Sequence, residues 1–478
     1  MKRPNILFAI ADDASHMSAY GHKFLQTPNF DMIAKDGLLF NNSFTSNPKC
    51  APSRASILTG MHTWQLEEAC THWCYFPNKF PLYPDLLEDS GYHIGYTGKG
   101  WAPGDWKKNG LLRNPAGPEY NDFTLAPPTD SLIATCDYAK NFEDFLTKRD
   151  TDQPFYFWYG CREPHRQYVN GEGKNHGMDP SLVEVPSYLP DNDIVKSDFC
   201  DYAYEIEWFD EQLGFMIQKL KDIGEYENTI IVVTSDNGAP FPRIKGQMYE
   251  DDFNLPLAIS WPDQVKGNRV IDDIVSFIDF APTFLQAAKV DIPKEWPGQS
   301  LSDIFFSDKN GLVTDYRKTA IMGRERHDMG RKDDLGYPVR CLRTEDYLYI
   351  RNFEPNRWPA GDPETWYPNC DGGPTKLDIL SKHAHGDNKF YNYSFGRRPL
   401  EELYNIKTDS ECINNLALNS SFDKIKNDLW LELKSQLEAT HDPRIFGNGD
   451  IFDTYDYVND AKHSWAHYLK GDWVCQKH

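Results

Sequence analysis

Cys50 lies between Lys49 and the run Ala51-Pro52-Ser53-Arg54, an odd setting for a purely structural thiol. Asp12-Asp13 and the Asp236-Asn237 pair of Ser235-Asp236-Asn237-Gly238 supply oxygen donors with no His or Cys among them. Such a set suits a hard cation, Ca²⁺ or Mg²⁺, and adjacent carboxylates repel each other without one. Each pair alone also reads as a cap or an ordinary turn. Lys99 in Gly98-Lys99-Gly100 and Lys245 in Ile244-Lys245-Gly246 can clamp an oxyanion as point charges, and Arg54 falls one helical turn after Cys50. His165, in Glu163-Pro164-His165-Arg166, suits protonation of a leaving group. Arg324, Arg326 and His327 form a polar cluster able to read sugar hydroxyls or carboxylates, with Arg340 and Arg343 competing for that role and Trp101 as an aromatic candidate.

These residues need a scaffold that gathers them. Residues 5–11 form a short apolar run that reads as a buried strand ending in acids, and 93–97, 155–159 and 229–234 read as further strands. Helical patterns cover 29–37, 53–59, 82–90 and 198–223. Strands alternating with helices predict an α/β fold, a large and mostly parallel sheet sandwiched by helices. Chemistry in such sheets collects beyond the carboxyl ends of strands, where Asp12, Asp13, Lys99, His165, Asp236 and Asn237 all fall. Past about residue 330 the texture changes: 339–344 and 347–352 read as paired strands, 402–405 as a third, and 422–439 as a helix. The expected division is a catalytic unit over 1–330 and a smaller α+β unit with an antiparallel sheet over 331–478.

The chain has 478 residues, enough for two domains, with 40% hydrophobic and 14% aromatic residues, which marks it as globular. A net charge of −22 argues against nucleic acid and against anionic membrane surfaces. An anionic substrate therefore requires a local cationic pocket inside an acidic shell. No apolar run approaches the ~20 residues of a membrane span. Ten cysteines in a chain this long do not make a disulfide scaffold, and the Cys70/Cys74 spacing lacks a second zinc-binding pair.

The run Cys50-Ala51-Pro52-Ser53-Arg54, continued to Thr59-Gly60, resembles the C-x-P-S-R-x-x-x-x-T-G signature of type I sulfatases of the alkaline-phosphatase-like superfamily. Ala11-Asp12-Asp13, Phe44-Thr45-Ser46, Pro164-His165-Arg166, Ser235 to Gly238 with Pro240-Phe241-Pro242, and Thr440-His441-Asp442-Pro443 extend the likeness, most of all to N-sulfoglucosamine sulfohydrolases. The resemblance implies that Cys50 is oxidised to formylglycine by a formylglycine-generating or anaerobic sulfatase-maturing enzyme. It implies a metal site of Asp12, Asp13, residue 50, Asp236 and Asn237, with Arg54, Lys99, His165 and Lys245 around the sulfate. It further implies a sulfated saccharide substrate, an O-sulfate or an N-sulfamate from a glycosaminoglycan or algal polysaccharide, and hence a periplasmic or secreted location. The family pattern is broken at Gly98-Lys99-Gly100-Trp101, where Trp101 stands in place of a histidine that faces formylglycine. His16, His62 or His72 could replace it. The rival readings are a phosphonate or phosphate ester hydrolase, and a carbohydrate-binding protein without catalysis.

Overall fold

The computed structural model describes residues 2–458 and 463–473, so Cys475 lies outside the described residues. The nine described cysteines are all unpaired and buried.

Seven strands make the main sheet, in the order Arg269–Ile271, Leu38–Phe40, Leu257–Ser260, Thr229–Ser235, Asn5–Ala11, Phe155–Gly160, His93–Gly98. Only Leu257–Ser260 runs against its neighbours. The other four expected strands are present and lie side by side, all parallel. Asn5–Ala11, Phe155–Gly160 and Thr229–Ser235 are buried at every position, as a sheet covered by helices on both faces demands. The 30-residue helix Asp193–Asp222 packs on one face, burying Phe199, Ile206, Phe209, Leu213 and Met216 against Leu7, Phe157 and Ile231. Helices Cys50–Thr59, Tyr83–Asp89 and Phe280–Ala288 cover the other, over Ile6, Phe8, Tyr156 and Val232.

Register aligns the strand ends. Ile10 pairs with Gly160, Gly98 with Gly160, and Ala11 with Ser235. The residues that follow, 12–13, 99, 161–166 and 236–237, therefore emerge along one rim. Glycine is required at the Gly98–Gly160 contact, because a Cβ on Gly98 would lie 2.1 Å from the Gly160 carbonyl oxygen. That close approach sets where Lys99 leaves the sheet.

The second sheet has four antiparallel strands, Thr319–Arg324, Val339–Thr344, Tyr347–Asn352 and Glu401–Asn405. Alternate residues face two apolar layers. Ile321, Leu342, Tyr349 and Leu403 meet Leu429, Leu433 and Leu437 of helix Asp423–Ala439. Met322, Cys341, Ile350 and Tyr404 meet Phe44, Met248 and Phe253 of the first unit. The sheet's first strand, Thr319–Arg324, lies before residue 330 and pairs with Val339–Thr344.

Candidate active site

Helix Cys50–Thr59 begins at the rim, and all ten of its residues are buried. Its first turn is held by tertiary bonds: Trp101 Nε1 donates to the Ala51 carbonyl at 3.0 Å, and Thr45 Oγ1 to Ser53 Oγ at 2.9 Å. Lys49, just before it, is buried on Asp328 at 2.7 Å, and His72 Nδ1 lies 2.9 Å from the same carboxylate. Cys50 is 1% exposed, and its Sγ is 3.9 Å from Asp13 Oδ1. Donor atoms of Asp12, Cys50 and His165 lie within 4.8 Å of one another, as do those of Asp12, Asp13 and Asp236. The structure thus gathers Cys50 with the acids and His165, as the sequence predicts.

Asp13 has φ of 76°, a left-handed backbone rare outside glycine, and its N–H donates to Asp236 Oδ1 at 3.1 Å. Asn237 Nδ2 donates to Asp13 Oδ1 at 2.7 Å. Arg54 Nε donates to Asp236 Oδ2 at 2.7 Å, and its Nη1 to the Lys99 and Gly100 carbonyls at 2.7 and 3.1 Å. Trp158 Nε1 donates to the same Lys99 carbonyl at 3.0 Å. Lys99 is ion-paired with Asp12. Lys245 bridges Asp13 at 2.6 Å and Asp371 at 2.7 Å.

Charge is out of balance here. Asp12, Asp13, Asp236 and Asp371 outnumber Arg54, Lys99 and Lys245. Burial alone would raise Asp12, but Lys99, then His165, Arg54 and Lys245, hold it well below the usual carboxylate range. Burial and then Asp12 push Asp236 up to about 7. Burial works to discharge Lys245, yet Asp13 and Asp371 hold it well above the usual lysine value. Burial, then Asp12, pushes the Cys50 thiol well above its usual range, which disfavours a thiolate nucleophile. Asp12 Oδ1 and Asn237 Oδ1 are buried with no hydrogen-bond partner among the described residues. Orphan oxygens beside crowded carboxylates fit an oxygen-loving divalent cation, so the residues present suit one.

Asp371 is the residue that sequence reasoning missed. Its donor atom lies within 4.8 Å of those of Asp13 and His165. The only local signal is the loop Asp371-Gly372-Gly373 before helix Pro374–Ala384, far from the motif-bearing half of the chain. His165 is exposed at the rim, and its Nδ1 lies 2.6 Å from the Arg166 carbonyl oxygen. Of the three histidines weighed for the place of Trp101, His16 is half-buried against Tyr202, His62 is stacked on Trp64 with centroids 4.4 Å apart, and His72 is engaged by Asp328.

Several expected substrate contacts are corrected. Trp101 borders the cavity but is 1% exposed, and its indole N–H is committed to Ala51. Arg324 donates to the Gly246 and Pro359 carbonyls, Arg326 to those of Asp453 and Tyr455, and His327 Nε2 lies 2.7 Å from Asn47 Oδ1. Arg340 is clamped by Asp442 at 2.7 Å and Arg343 by Glu250 at 2.9 Å. All five are buried. The cavity that opens over the site, about 1120 Å³, is lined instead by Asp12, Lys99, His165, Trp106, Lys107 and Arg162 among others.

The sulfatase family model matches residues 4–290, and a model of the C-terminal region of N-sulphoglucosamine sulphohydrolase matches 244–358. An ulvan-active sulfatase of Formosa agariphila is 27% identical over 474 residues, covering 92% of this chain and 76% of the relative. The human N-sulphoglucosamine sulphohydrolase is 26% identical over 485 residues, covering 92% and 91%. A protein solved with its substrate D-glucosamine-2-N,6-O-disulfate superposes with a TM-score of 0.67 at 21% identity, covering 92% of this chain and 99% of that one. This chain belongs to the sulfatase family.

Proposed function

We propose that this sulfatase removes an O-sulfate or N-sulfamate from a sulfated saccharide, such as a glycosaminoglycan or algal polysaccharide fragment, at residue 50. The observation that carries the reading is the meeting of residue 50 with Asp12, Asp13, Asp236 and His165, beside a cavity that Asp12 and His165 line. Asp12, Asp13, Asp236 and Asn237, with residue 50, would hold Ca²⁺ or Mg²⁺. Cys50 matured to formylglycine would supply a hydrated aldehyde as nucleophile, and the cation would acidify it and offset sulfate charge.

The chain's own residues have separable tasks in this reading. Arg54, fixed by Asp236 and two carbonyls, holds the end of residue 50 and leaves Nη2 free of hydrogen bonds. Lys99 and Lys245 bind sulfate oxygens from opposite sides of the acid cluster, where the global field of a chain at −22 would repel them. His165, oriented through Nδ1 by Arg166, gives a proton from Nε2 to the departing sugar oxygen or nitrogen. Asp371 keeps Lys245 aimed into the site. The relative and the solved neighbour that act on glucosamine sulfates support an amino-sugar substrate, and the ulvan-active relative supports an algal one. Polymers of either kind lie outside the cytoplasm, which favours a periplasmic or secreted location and a partner that matures Cys50.

A screen of sulfated mono- and disaccharides, read by free sulfate, tests the proposal. Release from at least one saccharide, well above hydrolysis of an aryl phosphate by the same sample, is the expected result. Preference for the phosphate establishes the ester-hydrolase rival, and saccharide binding without release by protein matured at residue 50 establishes the non-catalytic one.

A further inference from the structure

Arg162 has no part in the chemistry above, yet it lines the same cavity as Lys99 and His165. It is exposed, and among the described residues its backbone is hydrogen-bonded, the N–H donating to Tyr138 Oη at 3.2 Å, while its side chain forms no hydrogen bond or ion pair. Its base is fixed with respect to the reacting centre. The His165 N–H donates to the Arg162 carbonyl at 3.1 Å, closing a turn, and the Asp12 N–H donates to the Glu163 carbonyl at 3.1 Å. Buried Glu163 locks the turn from beneath, accepting from the Ala134 N–H and the Tyr138 hydroxyl, each at 2.7 Å. Arg162 and His165 thus stand at the two ends of one rigid turn and face one cavity.

A second cation faces them. Lys107 is exposed on the cavity wall beside Trp106, its Nζ 5.1 Å from that ring's centroid, and it forms no ion pair among the described residues. Two acids border the same cavity: Glu119 accepts from Tyr96 Oη at 2.5 Å, and Asp105 accepts from the Lys107 N–H at 2.8 Å. In a chain of net charge −22, Arg162 and Lys107 put two cationic side chains, neither in an ion pair among the described residues, on the wall of one cavity.

We propose that Arg162, assisted by Lys107, forms a second oxyanion subsite, which binds a further sulfate or a uronate carboxylate on the saccharide whose scissile sulfate lies at residue 50. The proposal rests on the sulfatase reading and narrows its substrate to a polyanionic saccharide. A guanidinium takes either oxyanion in a two-pronged contact that an ammonium cannot copy.

The test is calorimetric titration of the unmatured chain, which retains the Cys50 thiol, with three matched disaccharides: one singly sulfated, one with a second sulfate, one with a uronate carboxylate. Wild type is expected to bind a doubly anionic ligand more tightly than the singly sulfated one. Arg162→Gln should weaken that ligand about tenfold or more while changing the singly sulfated one about twofold or less, with Arg162→Lys between. The ligand that loses most identifies the oxyanion. Equal binding of all three ligands by wild type, or an equal loss for all three in Arg162→Gln, overturns the subsite. Sulfate release by matured wild type, followed in parallel, separates the two claims: selective loss of binding with no release from any sulfate ester removes the sulfatase chemistry and leaves the subsite standing.

Discussion

Two buried charge clusters in this molecule use nearly the same residues to opposite ends. In the second sheet, Arg340 and Arg444 face Asp442 and Glu325 at 2.6 to 2.8 Å, two cations against two acids. None of those four side chains has an orphaned polar atom. At the rim of the parallel sheet, acids exceed cations and Asp12 Oδ1, Asn237 Oδ1 and Arg54 Nη2 lack partners. The first cluster is closed, so its charges serve the fold. The second is open, and its unmet demand is for a cation and an anion that the chain does not itself supply. Arginine and aspartate in a core therefore say little about function until their hydrogen bonds are counted.

The contrast can be broken by mutation. The largest effect is expected at Cys50→Ala, which leaves nothing to mature: sulfate release should fall about 10⁴-fold or more while Tm stays near wild type, in paired activity and thermal-melt assays. An active Cys50→Ala enzyme would remove residue 50 from the chemistry. His165→Asn should cost about 10² to 10⁴ in kcat on a sugar sulfate and much less on an aryl sulfate, whose leaving group needs no proton. Equal losses on both would deny His165 the role of acid.

Asp442→Asn should show the converse pattern. It leaves buried Arg340 and Arg444 to share the single carboxylate of Glu325, at a cost of about 3–5 kcal/mol in denaturant unfolding, with kcat per folded molecule retained. Chelation sharpens the rim's side of the comparison. Stripping divalent ions should abolish sulfate release and lower Tm, and Ca²⁺ or Mg²⁺ should restore both, because an ion bound only by the native state stabilises it. The smallest expected effect is on pH. Burial, aided by Arg340, pushes His62 down to about 3, from an ordinary value near 6.5. Below about pH 6.5 the unfolded chain takes up a proton that the native state refuses, so stability falls as pH drops toward 3. His62→Gln should flatten that slope in melts between about pH 6.5 and 4.

The sequence made the rim legible and left the second sheet's charges opaque, for a physical reason. Asp12, Lys99, His165 and Asp236 each follow a short apolar run, and parallel strands must deliver their ends to one side. Cys50 and Arg54 are fixed by one turn of helix. Asp371 and Arg340 reach their partners through loops and sheet-to-sheet packing, so nothing within a few residues of either foretells where it lands. Arg324, Arg326 and His327 suggest a saccharide-reading cluster because their composition is polar; the structure buries them and commits their side chains to backbone carbonyls and Asn47. Trp101 was read as a site residue because a family histidine is absent there. In the fold it braces the first turn of the Cys50 helix.

The central claim is that residue 50 acts only once it ceases to be a thiol. Peptide mass spectrometry of the fragment containing residue 50, across preparations of graded specific activity, tests it most directly. Activity should rise in proportion to the fraction lighter by about 18 Da, the change from CH₂SH to CHO. Full activity in protein whose residue 50 is wholly unmodified cysteine would contradict it.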